Sequence, residues 1–81
     1  MVEVFITDID QRIRAEGLVE LIERIHLGSK VHFDMDETGL PFPHGHTVLR
    51  IEAPSIDVLA IMEIVKKSGH HCEIMEDVIP R

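Results

Sequence analysis

The stretch VHFDMDETGLPFPHGHTVLRIE, residues 31–52, decides how this chain folds. In its first six residues Val31, Phe33 and Met35 alternate with His32, Asp34 and Asp36. A period of two gives a half-buried strand with one apolar and one polar face. At its other end Thr47, Leu49 and Ile51 alternate with His46, Val48, Arg50 and Glu52, a second strand of the same kind. Between them, Glu37 to Gly45 carries two glycines and two prolines. That composition cannot continue a strand ladder, so the segment is a connection, long for a hairpin. Two antiparallel strands therefore lie at the middle of the chain.

Outward from the hairpin, each side repeats the same order in mirror image. Before it, Leu18, Leu21, Ile22 and Ile25 form one helical stripe, with Arg12, Glu16, Glu20, Glu23 and Arg24 opposite. Asp8 or Asp10 is placed to cap this helix, and Gly28 to end it. Earlier still, Val2, Val4 and Ile6 alternate with Glu3, Phe5 and Thr7. The three β-branched residues are expected to face the helices, which assigns Phe5 to the opposite side. After the hairpin, Pro54-Ser55 supplies a break and a cap, and Val58, Ile61, Met62 and Val65 make a second helical stripe. This helix stops at Ser68-Gly69, with Lys66 and Lys67 suited to its negative end. Cys72 and Ile74 then alternate with His71, Glu73 and Met75 as a last strand, and Val78 to Arg81 form a short tail.

The order β-α-β-β-α-β predicts an α+β sandwich of the ferredoxin-like kind over residues 1–81, as one domain. In this arrangement a four-stranded antiparallel sheet, order 4-1-3-2, carries two helices on one face. The shape resembles that of heavy-metal-associated domains, ACT-type effector domains, acylphosphatases and RNA-recognition motifs. The residues those families require are largely missing. Where the first strand meets the first helix stands Thr7-Asp8-Ile9-Asp10, with neither a Cys-x-x-Cys pair nor a glycine-rich phosphate loop. Where an RNA-recognition motif would set stacking aromatics, the chain offers only Phe5, beside Glu3 and Glu52. Shape alone assigns no function.

Composition narrows the classes further. Eight basic against fifteen acidic residues give a net charge of −7, which repels phosphate backbones and makes nucleic acid a poor partner. Metal cations, basic protein surfaces and small ligands stay open. The longest apolar run, Val58 to Val65, is interrupted by Glu63 and is too short to cross a bilayer. Cys72 is the only cysteine, so no disulfide can form within the chain. The lone thiol and the lack of a signal segment point to a reducing cytoplasm. An 81-residue chain has a thin margin of stability, which self-association would widen.

Six histidines supply the sharpest site expectation. The topology sends the starts of the third and fourth strands to the end of the sheet where the first strand stops. His46 and His71 should flank that end, two inter-strand spacings or about 9–10 Å apart. Asp36 lies across the hairpin from His46, and Asp8, His44 and His70 occupy neighbouring loops. Imidazoles and carboxylates are the usual ligands of zinc, nickel or copper. The expectation is a site for zinc or nickel on His46 and His71, with His44, His70 and Asp36 as auxiliary ligands. His26 and His32 fall toward the opposite end.

The alternative is a homo-oligomeric or partner surface, or a small-effector site of the ACT kind. The apolar loop tip Leu40-Pro41-Phe42-Pro43 is unusual for an exposed connection. Phe5, Val48 and Met75 are assigned to the uncovered sheet face, and Ile13, Ile56 and Ile64 fall off the buried helical stripes. Together with Leu40 and Phe42, the three sheet residues make a partner-binding set. Catalysis is not expected, because Ser29, Ser55, Ser68, Thr47 and the carboxylates Asp34, Asp36 and Glu52 stand in no recognisable frame.

Overall fold

The computed structural model describes residues 1–35 and 46–75. Six elements follow one another as β1 (Val2–Thr7), α1 (Arg12–Ile25), β2 (Lys30–Met35), β3 (Thr47–Glu52), α2 (Val58–Lys67) and β4 (Cys72–Ile74). The strands form one open sheet in the order β2-β3-β1-β4, with every pairing antiparallel. This is the expected order, 4-1-3-2, viewed from the other edge. Asp36 and the loop residues Leu40, Phe42 and His44, with the tail Val78 to Arg81, lie outside the described residues.

Register fixes which side of the sheet each residue occupies. Phe5 pairs with Leu49 and Ile74, Thr7 with Thr47 and Cys72, and Phe33 with Leu49. Partners across an antiparallel ladder share a face. On that face Phe5, Leu49, Ile51, Val31 and Cys72 join Ala15, Leu18 and Ile22 of α1 and Ile61 and Val65 of α2 in one core. Ile9, just after β1, belongs to the same core. Both helices therefore cover one side of the sheet, and among the described residues no element covers the other side.

Local chemistry explains the helix ends, with two departures from the sequence reading. Gln11, not Asp8 or Asp10, occupies the N-cap of α1 and makes no side-chain capping bond. Asp8 is committed elsewhere, as its Oδ1 accepts the backbone N–H of His71 at 2.8 Å. The N-cap of α2 is Asp57 instead of Ser55, and its Oδ1 accepts the N–H of Ala60 at 3.1 Å. The C-terminal ends match expectation: Gly28 and Gly69 have φ of 87° and 91°, a left-handed backbone that glycine adopts without a Cβ penalty. Lys67 in the last turn of α2 pairs with Glu63 at 2.8 Å, which holds the Glu63 carboxyl below its usual range.

Ile25, expected on the buried stripe of α1, is instead largely exposed, while Ala15 takes a place in the core. Ile13 is exposed as expected, but Ile56 and Ile64 pack against the core. At the sheet edge, Glu23 of α1 accepts the N–H of Val31 at 2.9 Å. That contact joins helix to strand and closes one outward-pointing donor of β2 that would otherwise invite another chain.

Candidate functional site: the uncovered sheet face

The main correction concerns β1. Phe5 is fully buried beneath the helices, so it cannot belong to a surface for partners. The residues on the uncovered side are Val2, Val4 and Ile6, the reverse of the expected facing. Burying the large ring of Phe5 in the core removes more apolar surface from water than burying a valine would. Ile9 keeps the same parity as Phe5 and extends the core beyond the strand, which fixes the choice.

With β1 turned over, the uncovered face has a defined pattern. One row across the sheet reads His32, Arg50, Val4 and Met75, and the next reads Asp34, Val48, Ile6 and Glu73. Val4, Ile6 and Val48 are contiguous and half-buried by their neighbours, and Val2 and Met75 extend the apolar area at 53% and 37% exposure. Val48 and Met75 thus lie where the sequence reading put them. The charges sit around this centre. His32 Nε2 lies 3.3 Å from Glu52 Oε2, whereas Arg50 and Asp34 make no ion pair among the described residues. A hollow of about 350 Å³ lies over this flank, lined by Val4, His32, Phe33, Asp34, Val48 and Arg50.

The histidine corner lies at one end of the same face. Thr7 pairs with Thr47 on one side and with Cys72 on the other, so His46 and His71 each begin one residue past those partners and flank the start of the β1–α1 connection. His71 is exposed, and its Nε2 is 2.8 Å from Glu73 Oε2. His70 Nδ1 is 3.6 Å from Asp8 Oδ1, beyond hydrogen-bond length. His46 is half-buried. Among the described residues no group of three or more His, Cys, Asp or Glu side chains converges in a way that could hold a metal ion. The proposed auxiliary ligands Asp36 and His44 lie outside the described residues.

Beneath this corner runs a buried polar relay that fixes the backbone. Thr7 Oγ1 donates to the Thr47 carbonyl at 2.9 Å, and Thr47 Oγ1 donates to the Ile9 carbonyl at 2.6 Å. Both threonines are essentially inaccessible to water. Cys72, beside them, is 2% exposed, and burial pushes its thiol from an ordinary 9.0 up to about 11, with Lys66 opposing and Glu73 reinforcing. A protonated, enclosed thiol is neither a nucleophile nor a ligand.

Sequence reasoning missed Val4 and Ile6 as surface residues. One signal was available: Phe5, Thr7 and Ile9 form a single parity in which the bulkiest side chain and the residue after the strand agree. Among the described residues no helix is long and apolar enough to cross a membrane. No family model matches this chain, and no curated protein and no solved structure matches it either.

Proposed function

We propose that this chain is a non-catalytic binding domain that associates with a second copy of itself through the uncovered face of the sheet. The observation that carries the reading is the contiguous apolar centre of Val4, Ile6 and Val48 on a face that none of the described elements covers. Burying such a patch against another chain removes apolar area from water, and a small domain gains stability from it. The face is modest. Four strands about 4.8 Å apart and some six residues long span about 400 Å², short of the ~800 Å² per partner of a standard interface. The association is therefore weak and concentration-dependent.

The test is mass in solution by sedimentation, together with amide chemical shifts, as the protein is raised from about 10 µM to about 1 mM, the range in which such an interface equilibrates. Concentration-dependent shifts should centre on Val4, Ile6 and Val48, and Ile6→Glu should abolish both the shifts and the gain in mass while leaving the helical circular dichroism intact. A strict monomer at the upper concentration, or a dimer indifferent to Ile6→Glu, removes the reading.

Metal binding by His46 and His71, with His70, His44 and Asp36 as auxiliaries, is the second reading. The register favours it, since the two histidines flank the same end of β1. The pairing of His71 with Glu73 and the lack of a three-ligand group among the described residues weigh against it. Titration with zinc or nickel near neutral pH separates the two. Loss of metal-induced shifts in a His46→Ala/His71→Ala variant supports it, and the absence of any shift or change in Tm at micromolar metal ends it.

A further inference from the structure

The charges around the apolar centre are arranged to specify one orientation of the second copy, an inference that rests on the proposed use of the uncovered face. Two copies can lay this face against itself about a two-fold axis running either along the strands or across them. The two choices bring different residues together.

With the axis along the strands, the β2 edge of one copy lies over the β4 edge of the other and each row meets itself reversed. Asp34 then faces Glu73 of the second copy, and Arg50 faces Val4. Like charges therefore oppose one another at both ends of that row. That repulsion disfavours association about this axis.

With the axis across the strands, each strand lies over its own counterpart and the row His32-Arg50-Val4-Met75 meets the row Asp34-Val48-Ile6-Glu73. Val4 covers Ile6 of the second copy, and Ile6 covers Val4 in return. Asp34 comes under His32 and beside Arg50, so a carboxylate and a guanidinium that make no ion pair among the described residues each gain an opposite charge. Arg50 lies over Val48 of the second copy here, as it lies over Val4 in the other arrangement, so the contact of Asp34 is what separates the two.

We propose that the domain pairs through its uncovered sheet face about a two-fold axis across the strands, with Val4 and Ile6 at the centre and Asp34 set against His32 and Arg50 of the second copy. Aligned sheet packing rotates the two sets of strands by about 30°, which keeps these neighbours within reach. The contact occurs twice by symmetry, so a charge change at Asp34 counts double.

Asp34→Lys decides the matter by the sign of its effect. For the axis across the strands it sets a lysine against His32 and Arg50 and should raise the dimer Kd about ten-fold, as expected of two exposed pairs reversed together. Asp34→Lys combined with Arg50→Glu should recover most of that loss. For the axis along the strands the same Asp34→Lys relieves the repulsion with Glu73 and tightens the dimer, which overturns the proposal. A mixture of Val4→Cys and Ile6→Cys chains should yield the disulfide-linked heterodimer under mild oxidation, whereas linkage of Val48→Cys to Ile6→Cys in its place also overturns it. If Ile6→Glu dissociates the dimer but Asp34→Lys tightens it, only the orientation is wrong. If no association occurs at about 1 mM, the reading of the face and the orientation fall together.

Discussion

Thr7 and Thr47 stand opposite each other on β1 and β3, and each spends its hydroxyl on a carbonyl of the same buried corner, Thr7 on Thr47 itself at 2.9 Å and Thr47 on Ile9 at 2.6 Å. Neither carbonyl has access to water in place of the hydroxyl, so the pair ties the exit of β1 to the start of β3. Thr7→Val and Thr47→Val preserve shape and remove one donor each. Each should lower unfolding stability in urea by about 1–3 kcal/mol, the range for leaving a buried acceptor unsatisfied. The double variant should lose less than the sum, because both bonds serve one corner. A loss below the range for either single variant would show that the carbonyls find other donors.

The inverted facing of β1 has its own measurable consequence. Phe5→Ala opens a void in the core and should cost about 3–5 kcal/mol, a large share of what so small a domain possesses. Ile6→Ala at low protein concentration removes a half-buried side chain from the uncovered face and should cost about 1 kcal/mol. Equal losses would mean that β1 has no preferred face, and the reverse order would restore the sequence reading.

That reversal marks the limit of what the residues alone could convey. In β2 and β3 the side chains His32, Asp34, Arg50 and Glu52 all fall on one parity, so the face was legible and so was the sheet order that follows from it. In β1 both parities carry apolar side chains, Val2, Val4 and Ile6 on one and Phe5 on the other. A count favours the first set, whereas the packing favours the larger ring. The uncovered face could therefore be foreseen from three strands and not from the central one, whose contribution makes the patch apolar. The histidine corner followed from topology, which registers His46 and His71 beside one strand end. Side-chain partners do not follow from topology, and His71 turns to Glu73 while Asp8 takes the backbone of His71.

The start of α2 offers a clean separation of two adjacent capping residues. Asp57 accepts the N–H of Ala60, so Asp57→Ala should cost about 1 kcal/mol and lower Tm by several degrees. Ser55→Ala should be close to neutral, since Ser55 lies outside the N-cap. Thermal unfolding of the two variants side by side checks the assignment, and a larger effect at Ser55 would move the cap.

Cys72 links the fold to pH in the alkaline range. Its thiol is held up to about 11 in the folded chain by burial, against an ordinary 9.0 once unfolded. Between those values the unfolded chain has released the proton and the folded chain retains it, so folding binds more protons than unfolding. Stability associated with this group is therefore complete below pH 9 and declines as pH rises toward 11. Cys72→Ala should flatten that part of the profile relative to the parent, with the lysines Lys30, Lys66 and Lys67 common to both chains. The same enclosure should make the native thiol inert to a disulfide reagent at pH 8, with labelling appearing only as urea unfolds the protein. Rapid labelling under native conditions would show that β4 opens locally at far less cost than global unfolding, and would place the short strand Cys72–Ile74 at the low end of the stability range.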